Sequence, residues 1–260
     1  FGDGEFSARI PLIAQRNDEI GACAISFNLM ADKLEQNIGA HQRLMADVSH
    51  ELRSPMTRLQ IALGLAQQNN INEALLHKHL QRCELEVARL DEMIANVLSL
   101  SRMENTISQI ELMFVDLKQL LILCIEDAQY IANEKSITIT FHYQRSALLQ
   151  ADPNLLSSAI NNILINAIKY SHANDQIKVH LHKTSSHFII EIIDTGIGVP
   201  AEDLAKLFEP FYRVAQSRDR ATGGTGLGMA IAKQAIVAHN GNISAQNNSE
   251  NGLTVTIELP

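Results

Sequence analysis

His50 sits in the run Asp47-Val48-Ser49-His50-Glu51-Leu52-Arg53-Ser54-Pro55, and an imidazole beside a carboxylate has the makings of a nucleophile. Glu51 can orient the ring and take its proton while the other ring nitrogen attacks phosphorus. Consecutive helical residues do not face each other, so that role depends on the geometry adopted with substrate. Ser54 lies one turn beyond His50 on the same face. Its hydroxyl either positions a water that dephosphorylates a partner or is a solvated helix serine. Pro55 removes the hydrogen bond to the Glu51 carbonyl and favours a kink, which makes this turn the weak one. Thr57, Arg58 and Ile61 continue the face as a mixed patch suited to docking another protein, or as plain solvated surface. A lone helical histidine is usually an ordinary surface residue; the neighbours single this one out.

Three later stretches have the types and spacing for holding a nucleotide. In Asn162-Ile163-Leu164-Ile165-Asn166-Ala167-Ile168-Lys169-Tyr170, steps of three and four put Asn162, Asn166, Lys169 and Tyr170 on one polar stripe of an apolar helix. An Asn166 oxygen can coordinate Mg²⁺, Lys169 can meet phosphate and Tyr170 can flank a base. Asp194-Thr195-Gly196-Ile197-Gly198 follows a strand pattern, so its carboxylate can accept from an adenine amino group where Gly196 and Gly198 let backbone approach. Gly223-Gly224-Thr225-Gly226-Leu227-Gly228 opens a helix, whose free amides and dipole can cradle phosphates. No strand immediately precedes this run, so it is not the dinucleotide fingerprint. Each stretch alone is weak; the three in this order point to ATP. Phe208-Glu209-Pro210-Phe211-Tyr212 reads as an aromatic anchor for the polar stretch from Tyr212 to Gly228, a loop over the site. Within it, Arg213 and Arg220 can neutralise charge on a transferring phosphoryl group, or are solvated loop arginines.

These groups need elements to hold them. Ala24, Phe27, Ala31, Leu34, Ile38, Met45, Val48 and Leu52 repeat at seven-residue spacing, with one polar step at His41, as a coiled-coil seam. A second seam runs Leu76, Leu80, Cys83, Val87, Leu90, Ile94 and Val97, after the polar break Gln67-Gln68-Asn69-Asn70. So short a break folds the helices back antiparallel, and a second copy buries both seams in a four-helix bundle. From about Ile110 short β-branched runs alternate with helical patterns. Strands are predicted at Ile137 to Tyr143, Ile177 to His182, Phe188 to Ile193, Asn242 to Ala245 and Leu253 to Leu259. Helices are predicted at Leu117 to Ala132, Asn154 to Tyr170, Ala201 to Phe208 and Met229 to His239.

The totals bound the partners. The 260 residues, 46% hydrophobic and 19% charged, suffice for a helical segment and one globular unit. A net charge of −8 argues against a nucleic-acid surface. Cys23, Cys83 and Cys124 are odd in number and far apart, and read as reduced packing residues. No stretch reaches the roughly 18 apolar residues of a membrane helix. The chain opens at Phe1 without an initiating Met, so any membrane anchor is expected upstream.

With these residues assembled, the chain resembles the two-component sensor histidine kinases over essentially its whole length. Ser49 to Pro55 is similar to their H box, Asn162 to Tyr170 to the N box and Asp194 to Gly198 to the G1 box. Phe208 to Phe211 is similar to the F box and Gly224 to Gly228 to the G2 box, while Asp18-Glu19-Ile20-Gly21 resembles the second helix of a HAMP module. Asp47 to Pro55 followed by Thr57-Arg58-Leu59-Gln60 looks most like the envelope-stress branch of the family. Many relatives carry Thr or Asn where this chain has Ser54, which keeps the hydroxyl.

The resemblance implies a multidomain α plus α/β protein. An antiparallel hairpin dimerises into a four-helix bundle and is followed by an α/β sandwich of the Bergerat ATPase type, shared with gyrase, Hsp90 and MutL. Residues 1–40 would be the end of HAMP, 41–106 the dimerisation and phosphotransfer domain, and 107–260 the ATP-binding domain. His50, Glu51, Ser54, Arg213 and Arg220 would be catalytic. Asn162, Asn166, Lys169, Tyr170, Asp194, Gly196, Gly198, Gly224, Thr225, Gly226, Leu227 and Gly228 would hold ATP, with Mg²⁺ on Asn166. The implied partners are a second copy and a response-regulator receiver domain, on the cytoplasmic side of the bacterial inner membrane. A chaperone- or topoisomerase-type Bergerat ATPase and a nucleotide-binding scaffold without phosphohistidine chemistry are the competing readings.

Overall fold

The computed structural model describes residues 8–10, 18–68, 71–106, 110–144, 148–214, 224–249 and 251–260. Arg220, Gly223 and the middle of the expected loop lie outside these residues, as do Asn69 and Asn70 of the polar break.

Helix α1 (Glu19–Ala66) starts at Asp18, whose carboxylate accepts the Gly21 amide at 3.0 Å, and runs unbroken through Pro55. It packs antiparallel on α2 (Glu73–Thr106). The HAMP-like start and the H-box turn therefore share one rod, with residue 40 inside it. Toward α2, α1 buries Pro55 and Ala62; α2 buries Cys83, Glu86, Met93 and Leu100. Of the expected second seam, Cys83 is covered, whereas Leu80, Val87 and Ile94 form an exposed heptad stripe. Cys83 and Cys124 are buried, but Cys23 is exposed, one position off the Ala24 face, which corrects the packing role expected for it.

The second unit opens with β1 (Met113–Asp116) and α3 (Leu117–Glu134), followed by β2 (Thr138–Tyr143) and β3 (Leu148–Ala151). It continues with α4 (Pro153–Tyr170), β4 (Gln176–Lys183), β5 (Phe188–Ile193), α5 (Gly228–Ala238), β6 (Asn242–Asn247) and β7 (Leu253–Leu259). Five strands form a sheet in the order β2-β4-β5-β7-β6, with β2 and β4 parallel and the other pairs antiparallel. Strand alternation puts Ile177, Val179, Leu181, Ile190, Ile192, Val255 and Ile257 on the covered face, against the apolar stripes of α3, α4 and α5. The antiparallel β1–β3 pair was not anticipated.

The stretch Ala201 to Phe208, expected as a helix, holds only a 3₁₀ turn at Leu204–Lys206. Asp203 does not cap it; its carboxylate accepts the Tyr212 hydroxyl instead, and so short an uncapped run cannot offset helix nucleation.

Two contacts set the helix that carries the N box. His239 accepts the Asp152 amide at Nε2 (2.9 Å) and donates from Nδ1 to the Ala235 carbonyl (2.7 Å), tying the end of α5 to the N-cap of α4. At the other end Lys135 Nζ donates to the carbonyls of Ile168 (2.9 Å), Lys169 (2.9 Å) and Ser171 (3.4 Å), a cation on the negative end of the helix dipole. Lys135→Met is expected to lower unfolding free energy by about 1–3 kcal/mol, since part-buried carbonyls lose their donor. Denaturant unfolding of the variant measures it, and an unchanged midpoint would remove Lys135 from this role.

Candidate nucleotide and phospho-acceptor site

The polar stripe of α4 forms one wall of a cavity of about 370 Å³, within the range of small-molecule sites. Asn162, Asn166, Lys169 and Tyr170 all line it, together with Asp194, Gly198, Gly224, Thr225, Gly226 and Gly228. The two glycine-bearing stretches are thus gathered on this one helix. A Cβ at Gly228 would stand 2.6 Å from Asn162 Oδ1, and one at Gly224 would collide with the Lys169 amine. One at Gly196 would collide with the Tyr170 carbonyl.

Gly196 itself is enclosed, and serves by letting α4 and the G1 turn touch. Gly226 has φ +74°, and a Cβ there would meet the Phe211 backbone at 2.9 Å. Phe211 N donates to the Gly226 carbonyl at 3.0 Å, so the aromatic anchor and the glycine run are hydrogen-bonded to each other.

Leu227 does not line the cavity. Its side chain is fully buried in the core, a correction to its expected place among the binding residues, and its amide is taken by Thr225 Oγ1 at 3.3 Å. Asp194 is buried at the end of β5; Oδ1 accepts the amides of Gly196 (2.9 Å) and Leu253 (3.0 Å). Burial pushes its carboxyl above the usual aspartate range, the two amides pull it back and Asp175 adds to the rise.

The hairpin contributes residues that sequence reasoning missed. Glu92 and Asn96 of α2 line the nucleotide cavity, and Asn96 Nδ2 donates to Thr225 Oγ1 at 3.3 Å. Their only sequence signal is i, i+4 spacing, which any helix face carries. Beside this cavity lies a second one of about 530 Å³, lined on the hairpin side by Glu51, Ser54, Pro55, Arg58 and Arg89. The two share Glu92, Tyr212, Arg213, Gly224 and Thr225 as walls. Arg213 therefore stands where the glycine run meets the H-box turn. His50 is exposed and lines neither cavity, one residue before Glu51. The Ser54 hydroxyl is engaged by Arg58 Nη1 at 2.6 Å.

Residues 40–106 match the family described as His Kinase A (phospho-acceptor) domain. Residues 151–260 match the histidine kinase-, DNA gyrase B-, and HSP90-like ATPase family. Sensor histidine kinase CpxA of Escherichia coli K12 is 36% identical over 243 residues, covering 93% of this chain and 52% of CpxA. Signal transduction histidine-protein kinase BaeS of the same strain is 30% identical over 257 residues, 99% of this chain and 54% of BaeS. The chain thus spans about half the length of the curated relatives it matches. Among solved structures, Acinetobacter baumannii histidine kinase AdeS superposes with a TM-score of 0.63 at 26% identity, covering 81% of this chain and 96% of that one. The histidine kinase ThkA, in complex with response regulator protein TrrA, shares the fold with a TM-score of 0.68 at 22% identity, over 88% of this chain and 66% of that one. A helical hairpin with a histidine on its exposed turn, an ATPase unit whose boxes close on one cavity, and relatives aligned along nearly the whole chain agree: this chain belongs to the sensor histidine kinases.

Proposed function

We propose that the protein phosphorylates its own His50 with Mg²⁺·ATP and passes the phosphoryl group to an aspartate of a response-regulator receiver domain, which it also dephosphorylates through Ser54. The observation that carries this reading is the wall shared by the nucleotide cavity and the H-box cleft, with Arg213, Gly224 and Thr225 in both. Asp194 accepts from the adenine amino group and Tyr170 flanks the base. Lys169 and the glycine run hold the phosphates. A ring nitrogen of His50 attacks the γ-phosphorus, the bond to the bridging oxygen breaks, ADP leaves and Glu51 takes the imidazole proton. Arg213, and Arg220 from outside the described residues, neutralise the developing charge.

Among the described residues no group of three His, Cys, Asp or Glu side chains is arranged to hold a metal. Asn166 lines the cavity, and its amide oxygen would hold Mg²⁺ there. When bound, the ion supplies charge neutralisation between the phosphates.

The homodimer is supported by the exposed stripe of Leu80, Val87 and Ile94 on α2 with Met45, Met56 and Leu63 on α1, apolar surface that a second hairpin would cover. The receiver-domain partner is supported by the kinase–regulator complex in which the ThkA fold occurs. We place the domains at 1–40, 41–106 and 107–260, the last because β1, α3, β2 and β3 join the same core as the matched ATPase residues. No helix among the described residues is long and apolar enough to cross a membrane. Attachment to the cytoplasmic face of a bacterial inner membrane is proposed from the likeness to CpxA, of which this chain spans 52%.

Incubation with Mg²⁺·ATP is expected to leave phosphate on the protein that is acid-labile and stable to alkali. ATP turnover with no such protein-bound phosphate would favour a Bergerat ATPase over this reading.

A further inference from the structure

Glu86 on α2 is fully enclosed at the middle of the hairpin, and three guanidinium groups converge on it. Arg82 Nη2 and Arg89 Nη1 reach Oε1 at 2.9 Å and 3.1 Å; Arg58 Nη2 reaches Oε2 at 2.9 Å. Arg82 and Arg89 belong to Glu86's own helix, at i−4 and i+3, and supply two of the three positive charges around it. Arg58 comes from α1, eight residues past His50, and its other terminal nitrogen, Nη1, donates to Ser54 Oγ at 2.6 Å. Its Nε is buried with no hydrogen-bond partner, so the plane of the group is set by these two ends alone. Burial by itself would raise the Glu86 carboxyl; the Arg58 hydrogen bond and the three positive charges hold it below the usual range, so the anchor stays ionised. Ser54, Arg58 and Arg89 face the cleft that also holds Glu51 and, from the ATPase unit, Arg213 and Thr225.

We propose that Arg58, anchored on Glu86, is a positioning residue that fixes the Ser54 hydroxyl for dephosphorylating the response regulator. The guanidinium occupies one lone pair of Ser54 Oγ, leaving the hydroxyl hydrogen and the second lone pair for a water in the cleft. The oxygen of that water bonds to the aspartyl phosphorus, the bond between phosphorus and the carboxylate oxygen breaks, and aspartate and inorganic phosphate are released with the water's proton passing to solvent. The inference rests on the reading of Ser54 as the dephosphorylating residue. It predicts that Arg58 governs removal of the phosphoryl group and not its delivery from His50.

The test uses this chain, in wild-type form and as Ser54→Ala, Arg58→Ala, Arg58→Lys and Ser54→Ala/Arg58→Ala. The probe is a purified receiver domain chosen because it accepts label from the wild-type chain, then charged with acetyl phosphate. The quantity read is the ratio of its dephosphorylation rate to the rate of forward transfer from phosphorylated His50. Loss of a charge-assisted hydrogen bond predicts that the ratio falls about tenfold in Ser54→Ala and Arg58→Ala, with the double variant no worse than either. Arg58→Lys keeps a positive charge for Glu86, and so the fold, but lacks the planar fork that reaches both groups; its ratio is expected to fall at least about threefold.

A normal ratio in Ser54→Ala would overturn the dephosphorylation reading itself. A loss in Ser54→Ala with a normal ratio in Arg58→Ala or Arg58→Lys would overturn the positioning role alone. Additive losses in the double variant would contradict it too, as would equal slowing of both reactions in Arg58→Ala, the mark of a docking residue.

Discussion

Asp194→Asn is expected to cut nucleotide affinity roughly 100-fold with the fold intact, because it turns an acceptor into a donor at one atom. In the native chain Oδ1 is occupied by the Gly196 and Leu253 amides, which leaves Oδ2 for the ligand. An asparagine keeps Oδ1 on those amides and so must point its NH₂ into the cavity, where it opposes the adenine amino group. Stability should not suffer. Because burial raises the folded-state pKa of Asp194 above its unfolded value, the folded chain binds that proton more readily. The ionised group thus costs stability at neutral pH, and the cost disappears as pH falls through the raised pKa. The neutral amide removes that cost, so the variant's melting temperature is expected to equal or exceed wild type at pH 7 and to converge with it in acid. Titration with a fluorescent nucleotide, beside thermal melts at both pH values, checks the pair. Affinity within about threefold of wild type would mean that Asp194 is not the base-recognising group.

His50→Gln is expected to abolish incorporation of γ-phosphate while nucleotide affinity stays within about twofold of wild type. His50 is exposed and lines neither cavity, so glutamine there disturbs no packing and no wall of the nucleotide site. What it removes is the proposed nucleophile. Filter assays with labelled ATP, alongside the same fluorescent titration, separate the two effects. Label retained in this variant would place the phospho-acceptor elsewhere.

The groups proposed to hold ATP were legible in the sequence because each is a local pattern. The step of three and four from Asn162 to Tyr170 survives as one face of α4, and Asp194 falls at the end of β5, where the strand pattern runs out. Interactions between distant segments were not legible. Asn96 meets Thr225 across 129 positions, and Lys135 meets the end of α4 only because α3 and α4 pack side by side. The β1–β3 pair escaped because Met113–Asp116 and Leu148–Ala151 are four residues each, with no alternation long enough to read. Heptad counting put Val87 in the α2 seam. Within one chain the covered position is Glu86, a charge that periodicity assigns to solvent and that only the arginines at 58, 82 and 89 make tolerable inside. Leu227 was misassigned for a related reason: a leucine inside a glycine run belongs to the pattern by position, yet its side chain obeys the core.

In the proposed mechanism the nucleotide cavity delivers its γ-phosphate to the H-box turn beside it. Tandem mass spectrometry at alkaline pH, on the chain quenched soon after mixing with Mg²⁺·ATP, locates the modified residue directly. A single phosphoryl group on His50 is expected; phosphate on any other residue, or none on a chain that has turned over ATP, would rule this mechanism out.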